Sequence, residues 1–490
     1  MSKEKRQVLA FDFGASSGRA ILGRLDDGKI VMEEVHRFSN DPVKIGDTLY
    51  WDTLRQFYEI KQGIIKAKLN GGFDSVAIDT WGVDFGLLDK QDKLIENAVH
   101  YRDDRTIGKQ EEVFEKISKS ELYEATGIQF NDFNTIFQLY SLTKDRPELL
   151  ERAETLLLTP DLFNFFLTGA KKTEYTMATT TQLFEAKNRK WYNKLFDVLS
   201  IKENIFPEVV PSGTIVGEIR EDICQELGIN AAKVIAVAGH DTASAVVAVP
   251  TEEEDFVFVS CGTWSLFGTE LKDAIINDTT YEMNVSNEGG YGNTYLFLKN
   301  IIGLWLAQES RRQWMREGQE YSFGELEKLA LEVKPFQSFI DPDAPQFNSV
   351  GDIPGRIRAY CKETGQQIPG TIGDIMCCIN QSLAMKYRYT LEQIEKCTGK
   401  HYGTIQMIGG GIQSELLCQM TANACNRKVV AGPIEATALG NIAVQLITLG
   451  EIADVKEARK IIAKSEVIRT YTPQNEKQWS DAYDKFVQVL

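Results

Sequence analysis

Asp12 stands near the end of an otherwise apolar run, Val8 to Phe13, that reads as a strand. A carboxylate there is costly to bury unless it meets a metal, a cation or hydrogen-bond donors. Two readings compete: the side chain faces a metal ion, or it caps the turn that starts at Gly14. Asp241 poses a similar question. In Ala238-Gly239-His240-Asp241-Thr242-Ala243-Ser244 it follows a predicted strand, Val234 to Val237, and opens a helix of small residues. Ligand crevices favour the carboxyl ends of strands beside helix N-termini. There Asp241 can take a proton from a hydroxyl, or it can be the helix N-cap. His240 alone reads as a structural histidine, and the base role is not assigned to it.

Glycine turns supply the second kind of chemistry. Gly14-Ala15-Ser16-Ser17-Gly18 lacks the lysine of a P-loop and precedes a strand rather than a helix, so neither a Walker A loop nor a dinucleotide fingerprint fits. A hairpin turn presenting N–H groups and hydroxyls to a phosphate fits better, and a tight turn without a ligand is the alternative. Half a chain later Cys261-Gly262-Thr263 repeats the arrangement between two predicted strands. Gly409-Gly410-Gly411, after the strand Thr404 to Ile408, lets a flat ligand approach the backbone or simply turns the chain into the next helix. Asp79-Thr80-Trp81-Gly82-Val83-Asp84-Phe85 and Tyr101-Arg102-Asp103-Asp104-Arg105 carry the polar and aromatic groups a sugar site uses, or form surface loops.

The elements that must position these groups show a duplication. Val8 to Phe13, Arg19 to Leu25 and Lys29 to Phe38 form an antiparallel meander, and Asp255 to Ser260 with Trp264 to Gly268 form a second hairpin. A repeat of this period implies repeated domains rather than a solenoid. The seam is placed after Val247, near Pro250 and Glu252-Glu253-Glu254-Asp255, giving domains 1–247 and 248–490. Strand-like runs such as Ser75 to Ile78 alternate with amphipathic stretches such as Asp374 to Thr398, an α/β pattern.

With 490 residues and 43% hydrophobic content, the chain is long enough for two packed domains. A net charge of −16 argues against a nucleic-acid partner, and no apolar run is long enough for a membrane span. The opening segment fits neither a signal peptide nor an anchor, and the eight cysteines show neither C-x-x-C nor zinc spacing, so reduced thiols and a cytoplasmic location are expected. Cys418 and Cys425, if on one helix, lie too far apart for a disulfide.

Taken together, these phrases resemble the sugar kinase, heat-shock ATPase and actin superfamily, and within it the FGGY carbohydrate kinases. Asp12 to Arg19, Asp79 to Phe85, Tyr101-Arg102-Asp103, Thr179-Thr180-Thr181-Gln182-Leu183 and His240 to Ala245 carry the resemblance in the first half. Gly262 to Leu266, Asn287-Glu288-Gly289-Gly290, Lys299 to Leu306 and Ala431 to Ala436 carry it in the second. The resemblance implies two duplicated ribonuclease-H-like domains flanking a catalytic cleft, with the sugar and the catalytic Asp on the first and the nucleotide on the second. It implies that Ala15, Ser16, Ser17, Gly18, Arg19 and Thr263 contact ATP phosphates and that Gln308 and Gly410 help hold the nucleotide. Gly82, His240, Asp241, Thr242 and Asn300 would line the sugar pocket, Asp241 would be the proton acceptor, and Asp12 would hold Mg²⁺ through water. The implied reaction is phosphorylation of L-rhamnulose at O1 by Mg-ATP. L-fuculose or L-xylulose are the rival ketoses, and a non-catalytic nucleotide switch is the rival of another class. Cys261 departs from the pattern, because many relatives carry a small hydroxyl residue or Gly before Gly-Thr.

Overall fold

A computed structural model describes residues 6–490. The chain divides into two compact units. The first holds residues up to Ala248, Glu270–Phe297 and Ala436–Ser465, and the second holds Val249–Thr269, Leu298–Glu435 and Glu466–Leu490. The chain therefore leaves the first unit next to the seam expected at residue 247 but returns to it twice. Neither return carries a linker-like composition.

In the first unit, β1 (Gln7–Phe13), β2 (Ser17–Asp26), β3 (Lys29–Ser39), β4 (Ser75–Thr80), β5 (Thr214–Glu218) and β6 (Lys233–Ala236) form one sheet in the order β5-β6-β4-β1-β2-β3. β1 pairs antiparallel with β2 and parallel with β4, and β4 pairs parallel with β6. Strands β1 and β4 are buried along nearly their whole length, which explains their unbroken apolar reading. The helix Thr53–Leu69 covers one face through Ile60 and Ile64, which pack in a core with Phe11, Phe13, Trp51 and Trp81. The helix Ala436–Thr448, from the second return, packs on β1, β2 and β4.

The sheet of the second unit includes β7 (Val257–Cys261), β8 (Trp264–Leu271), β9 (Thr404–Ile408), β10 (Lys428–Ala431) and β11 (Arg469–Tyr471), in the order β8-β7-β9-β10-β11. β7 pairs antiparallel with β8 and parallel with β9, β9 pairs parallel with β10, and β11 closes the edge antiparallel. This repeats the first sheet from β2 to β5: a hairpin, two parallel strands, then an antiparallel edge. The helix read as Asp374 to Thr398 spans Ile372–Thr398, started by a capping box between Thr371 and Asp374. Cys418 and Cys425 share the helix Glu415–Cys425, and all eight cysteines are free thiols. Among the described residues, no helix is long and apolar enough to cross a membrane.

Candidate active site

Strand register gathers the acidic groups of the first unit. Asp12 on β1 lies opposite Arg19 on β2 and opposite Asp79 on β4. The Arg19 guanidinium donates to Asp12 Oδ2 at 2.5 Å, so the cation foreseen for phosphate is also the partner of the carboxylate foreseen for the metal. Asp79 is fully buried, and its Oδ2 accepts the Asn441 amide at 2.6 Å. Its Oδ1 meets no hydrogen-bond donor among the described residues. Burial, with the charge of Asp12 next, holds the Asp79 carboxyl well above the ordinary range.

Asp241 completes the group. Beyond β6 the chain stays beside β4, where Thr80 N donates to Gly239 O at 2.9 Å and Thr80 bridges to His240. The helix Asp241–Val247 starts there, with His240 as N-cap and no side-chain capping bond. Asp241 is thus the first residue inside the helix, and the N-cap reading of it falls away. Its Oδ1 takes the Thr242 hydroxyl at 3.2 Å. About a third of the side chain, 34%, stays accessible, while Asp79 is closed off. Burial and the nearby Asp12 charge push the Asp241 carboxyl up to about 7. An accessible carboxylate that gains a proton near neutrality suits general-base work.

His240 sits between two acids, with Nε2 3.4 Å from Asp241 Oδ1 and Nδ1 3.4 Å from Glu288 Oε2. Burial pushes its imidazole down, which favours the neutral ring. Gly82 follows Trp81, whose indole N–H donates to Asp84 Oδ2 at 2.9 Å. The same oxygen takes Trp51 Nε1 at 2.6 Å and Tyr101 N at 3.1 Å, and Oδ1 takes Gln138 Nε2 at 3.0 Å. Burial still pushes the Asp84 carboxyl up to about 6 against these four donors. The Trp51 and Trp81 rings lie 4.1 Å apart and are both buried, so they brace the Gly82 segment from the core side.

The turn 14–17 is held from outside. Gly14 N donates to Ser17 O at 2.9 Å, Asn40 N donates to Ser16 O at 3.1 Å, and the Asn40 amide donates to Gly14 O at 2.8 Å. Ser16 is exposed at its tip, between the partly exposed Ala15 and Ser17, and Gly18 is buried in β2.

In the second unit, the counterpart turn Gly262-Thr263 anchors the helix Trp305–Arg316. Leu304 N donates to Gly262 O and Trp305 N to Thr263 O, at 3.0 and 3.1 Å. The Thr263 hydroxyl reaches Gln308 Oε1 at 3.3 Å, so these two predicted nucleotide contacts are joined. Asn300 lies on the strand Tyr295–Ile302, whose last residue donates its N–H to Asp343 Oδ1 at 2.9 Å. Cys261 packs against the triple-glycine turn. A Cβ on Gly411 would lie 2.4 Å from its Sγ, so the thiol fills the slot the third glycine leaves. Burial pushes that thiol up to about 11, which keeps it protonated. Gly410, beside it, has open space on the side a Cβ would take.

Asp79 and Glu288 stand in the quoted phrases without a role of their own, and Asn441 stands in none of them. Asp79 was recoverable, because two apolar strands each ending in aspartate invite pairing in register. Asn441 was not, because it lies 362 positions from its partner.

Solved structures share this fold. A xylulose kinase from Lactobacillus acidophilus superposes with a TM-score of 0.82 over 99% of this chain and 97% of its own, at 17% identity. A glycerol kinase from Plasmodium falciparum gives 0.77 over 99% and 98%, at 15% identity. In sequence, a rhamnulokinase of Oceanobacillus iheyensis is 43% identical over 94% of this chain and 97% of its own. One of Bacteroides thetaiotaomicron is 41% identical over 98% and 99%. Models of the N-terminal and C-terminal domains of the FGGY carbohydrate kinases match residues 7–248 and 257–449. With both domain models matched and curated relatives above 40% identity over nearly its whole length, the chain belongs to the FGGY family of carbohydrate kinases.

Proposed function

We propose that the chain transfers the γ-phosphoryl group of Mg-ATP to the 1-hydroxyl of L-rhamnulose, giving L-rhamnulose 1-phosphate and ADP. The observation that carries the mechanism is the Asp241 carboxylate, accessible and pushed up to about 7 beside two further acids. The choice of sugar rests on the rhamnulokinases that match along nearly the whole chain. Asp241 accepts the O1 proton as that oxygen attacks phosphorus, and the β–γ bridging oxygen leaves with the electron pair as ADP. His240, Thr242, Gly82 and Asn300 are assigned to the sugar. Ala15 to Arg19, Thr263, Gln308 and Gly410 are assigned to the nucleotide.

Among the described residues, no three His, Cys, Asp or Glu side chains form a metal cage. Mg²⁺ itself keeps several waters and takes only one or two carboxylates beside substrate phosphates. Asp12, with Asp79 and its orphaned Oδ1 behind it, is the fitting donor set. An ion held by Asp12 there would offset phosphate charge. The eight free thiols suit a reducing compartment, and we place the protein in the cytoplasm.

The test is ADP release with Mg-ATP across L-rhamnulose, L-fuculose, L-xylulose and D-xylulose. L-rhamnulose should give the highest kcat/KM. A higher value for another ketose reassigns the substrate, and slow hydrolysis indifferent to every sugar points to a nucleotide switch. A second expectation concerns Gly82, where a Cβ would lie 3.0 Å from Thr180 Cγ2. Gly82→Val should raise the L-rhamnulose KM about tenfold while the ATP KM changes less than about twofold, the pattern of lost ground-state sugar binding. A rise in the ATP KM alone takes this loop out of the sugar pocket.

A further inference from the structure

The phrase around Thr179-Thr180-Thr181 is not used by the mechanism above, and its place in the fold gives it a task. The helix Tyr175–Thr180 is buried throughout and capped by Glu174, whose Oε2 accepts Thr176 N and Met177 N. Thr176, Thr179 and Thr180 lie at i, i+3 and i+4, on one face of it. Each hydroxyl on that face accepts a backbone N–H from a different segment, two loops and the end of the strand Ser286–Gly289. His240 N donates to Thr176 Oγ1 at 3.1 Å, Gly289 N to Thr179 Oγ1 at 2.7 Å, and Val83 N to Thr180 Oγ1 at 3.2 Å. These amides belong to the loop that leads into Asp241, to the residue after Glu288, and to the residue after Gly82.

The direction of each bond is fixed. A hydroxyl has one proton, and here it is already committed: Thr176 to Glu174 Oε2 at 2.5 Å, Thr179 to Thr176 O at 2.9 Å, and Thr180 to Met177 O at 2.8 Å. Only a lone pair faces the loops, so each threonine can take an N–H and nothing else. Glu174 Oε2 adds Gly239 N at 3.1 Å, one residue before His240.

We infer that Thr176, Thr179 and Thr180 are positioning residues, a three-point clamp that sets the loops of the sugar pocket against one another. This rests on the sugar-kinase reading of the same site. It gives the threonines a role in sugar recognition and turnover, separate from nucleotide binding.

The helix carries its own control. Thr181 donates to Ala178 O at 2.6 Å and accepts Leu183 N at 3.1 Å, the same chemistry aimed at a segment away from the sugar loops. Valine keeps the shape of threonine and removes the acceptor, so T176V, T179V, T180V and T181V each leave one buried amide unpaired. In steady-state assays with L-rhamnulose, T180V should raise the sugar KM about tenfold with kcat within about threefold. T176V should lower kcat about tenfold, because His240 precedes Asp241, and T179V should raise the sugar KM about fivefold. The ATP KM should stay within about twofold in all four. T181V should lose thermal stability like the others while its sugar kinetics stay at wild type, and the serine variants, which restore the hydroxyl, should recover the kinetics. Amide hydrogen exchange should speed up at His240, Gly289 and Val83 in the matching variants. Should a valine variant fail to fold, the alanine variant at that position is read instead. If the three variants behave kinetically like T181V, or serine rescues nothing, the clamp is overturned. A wild-type chain inert toward every ketose overturns the functional reading first, and the clamp with it.

Discussion

Asp241→Asn is expected to lower kcat by about 10² to 10⁴, the usual contribution of a positioned general base, while sugar and ATP still bind. Asparagine keeps the size of the side chain and can still take the Thr242 hydroxyl at the carboxamide oxygen, but it cannot accept the O1 proton. The helix does not depend on the carboxylate for capping, because the N-cap is His240. Removing a charge that sits beside Asp12 relieves repulsion, so the melting temperature should hold or rise slightly. The pH dependence follows from the same cause. The base works deprotonated and burial with the Asp12 charge raises its carboxyl above the ordinary carboxylate range, so kcat/KM for the sugar in the wild type should fall as the pH is lowered through its titration. The Asn variant should lack this limb. ADP release, calorimetric binding of each substrate and a thermal melt on one preparation test the set. Near-wild-type turnover in the folded variant would remove Asp241 from the base role.

The parts of the fold that were legible are those in which local pattern and tertiary place agree. The two hairpins, β9 and the helix 372–398 bury a continuous stripe or strand, so the apolar period alone marks them. Asp12 and Asp241 stood out for the opposite reason, since a carboxylate inside an apolar frame is a local inconsistency that invites a functional explanation. What stayed hidden depends on contacts distant in the chain. The returns of residues 270–297 and 436–465 to the first unit leave no mark on composition, because local sequence does not record which unit a segment packs against. The threonine clamp joins residues 64, 97 and 110 positions apart, and threonines in a short helix look like weak helix formers until their partners are seen. Asp84 was quoted among sugar-site phrases, but its work on Trp51, Trp81, Tyr101 and Gln138 is invisible without the packing.

Gly440→Ala should combine lost stability with lost turnover, although it adds one methyl group far in sequence from every predicted site residue. A Cβ on Gly440 would lie 1.8 Å from Ser244 O and 2.6 Å from Ser244 C, both backbone atoms of the helix that Asp241 begins. No side chain can rotate to make room, so the helices 241–247 and 436–448 must part. Ser244 is tied back to the active loop, with its N–H on His240 O at 3.0 Å and its hydroxyl on Ala238 O at 2.8 Å, and a push on Ser244 therefore moves Asp241. On the other helix the next residue, Asn441, carries the amide that holds Asp79 at 2.6 Å. Overpacking of this kind typically costs about 1–3 kcal/mol, and a displacement near 1 Å at a reacting group can cost about 10²-fold in rate. The expected result is a folded variant with a lower melting temperature and kcat reduced by about ten- to a hundredfold, and with the ATP KM little changed because the phosphate turns are not pushed. Calorimetry and steady-state ADP release read both effects. Wild-type kcat together with a lowered melting temperature would mean that the helix pair supports the fold without setting Asp241, and an unchanged melting temperature would show that the two backbones are not in contact at Gly440.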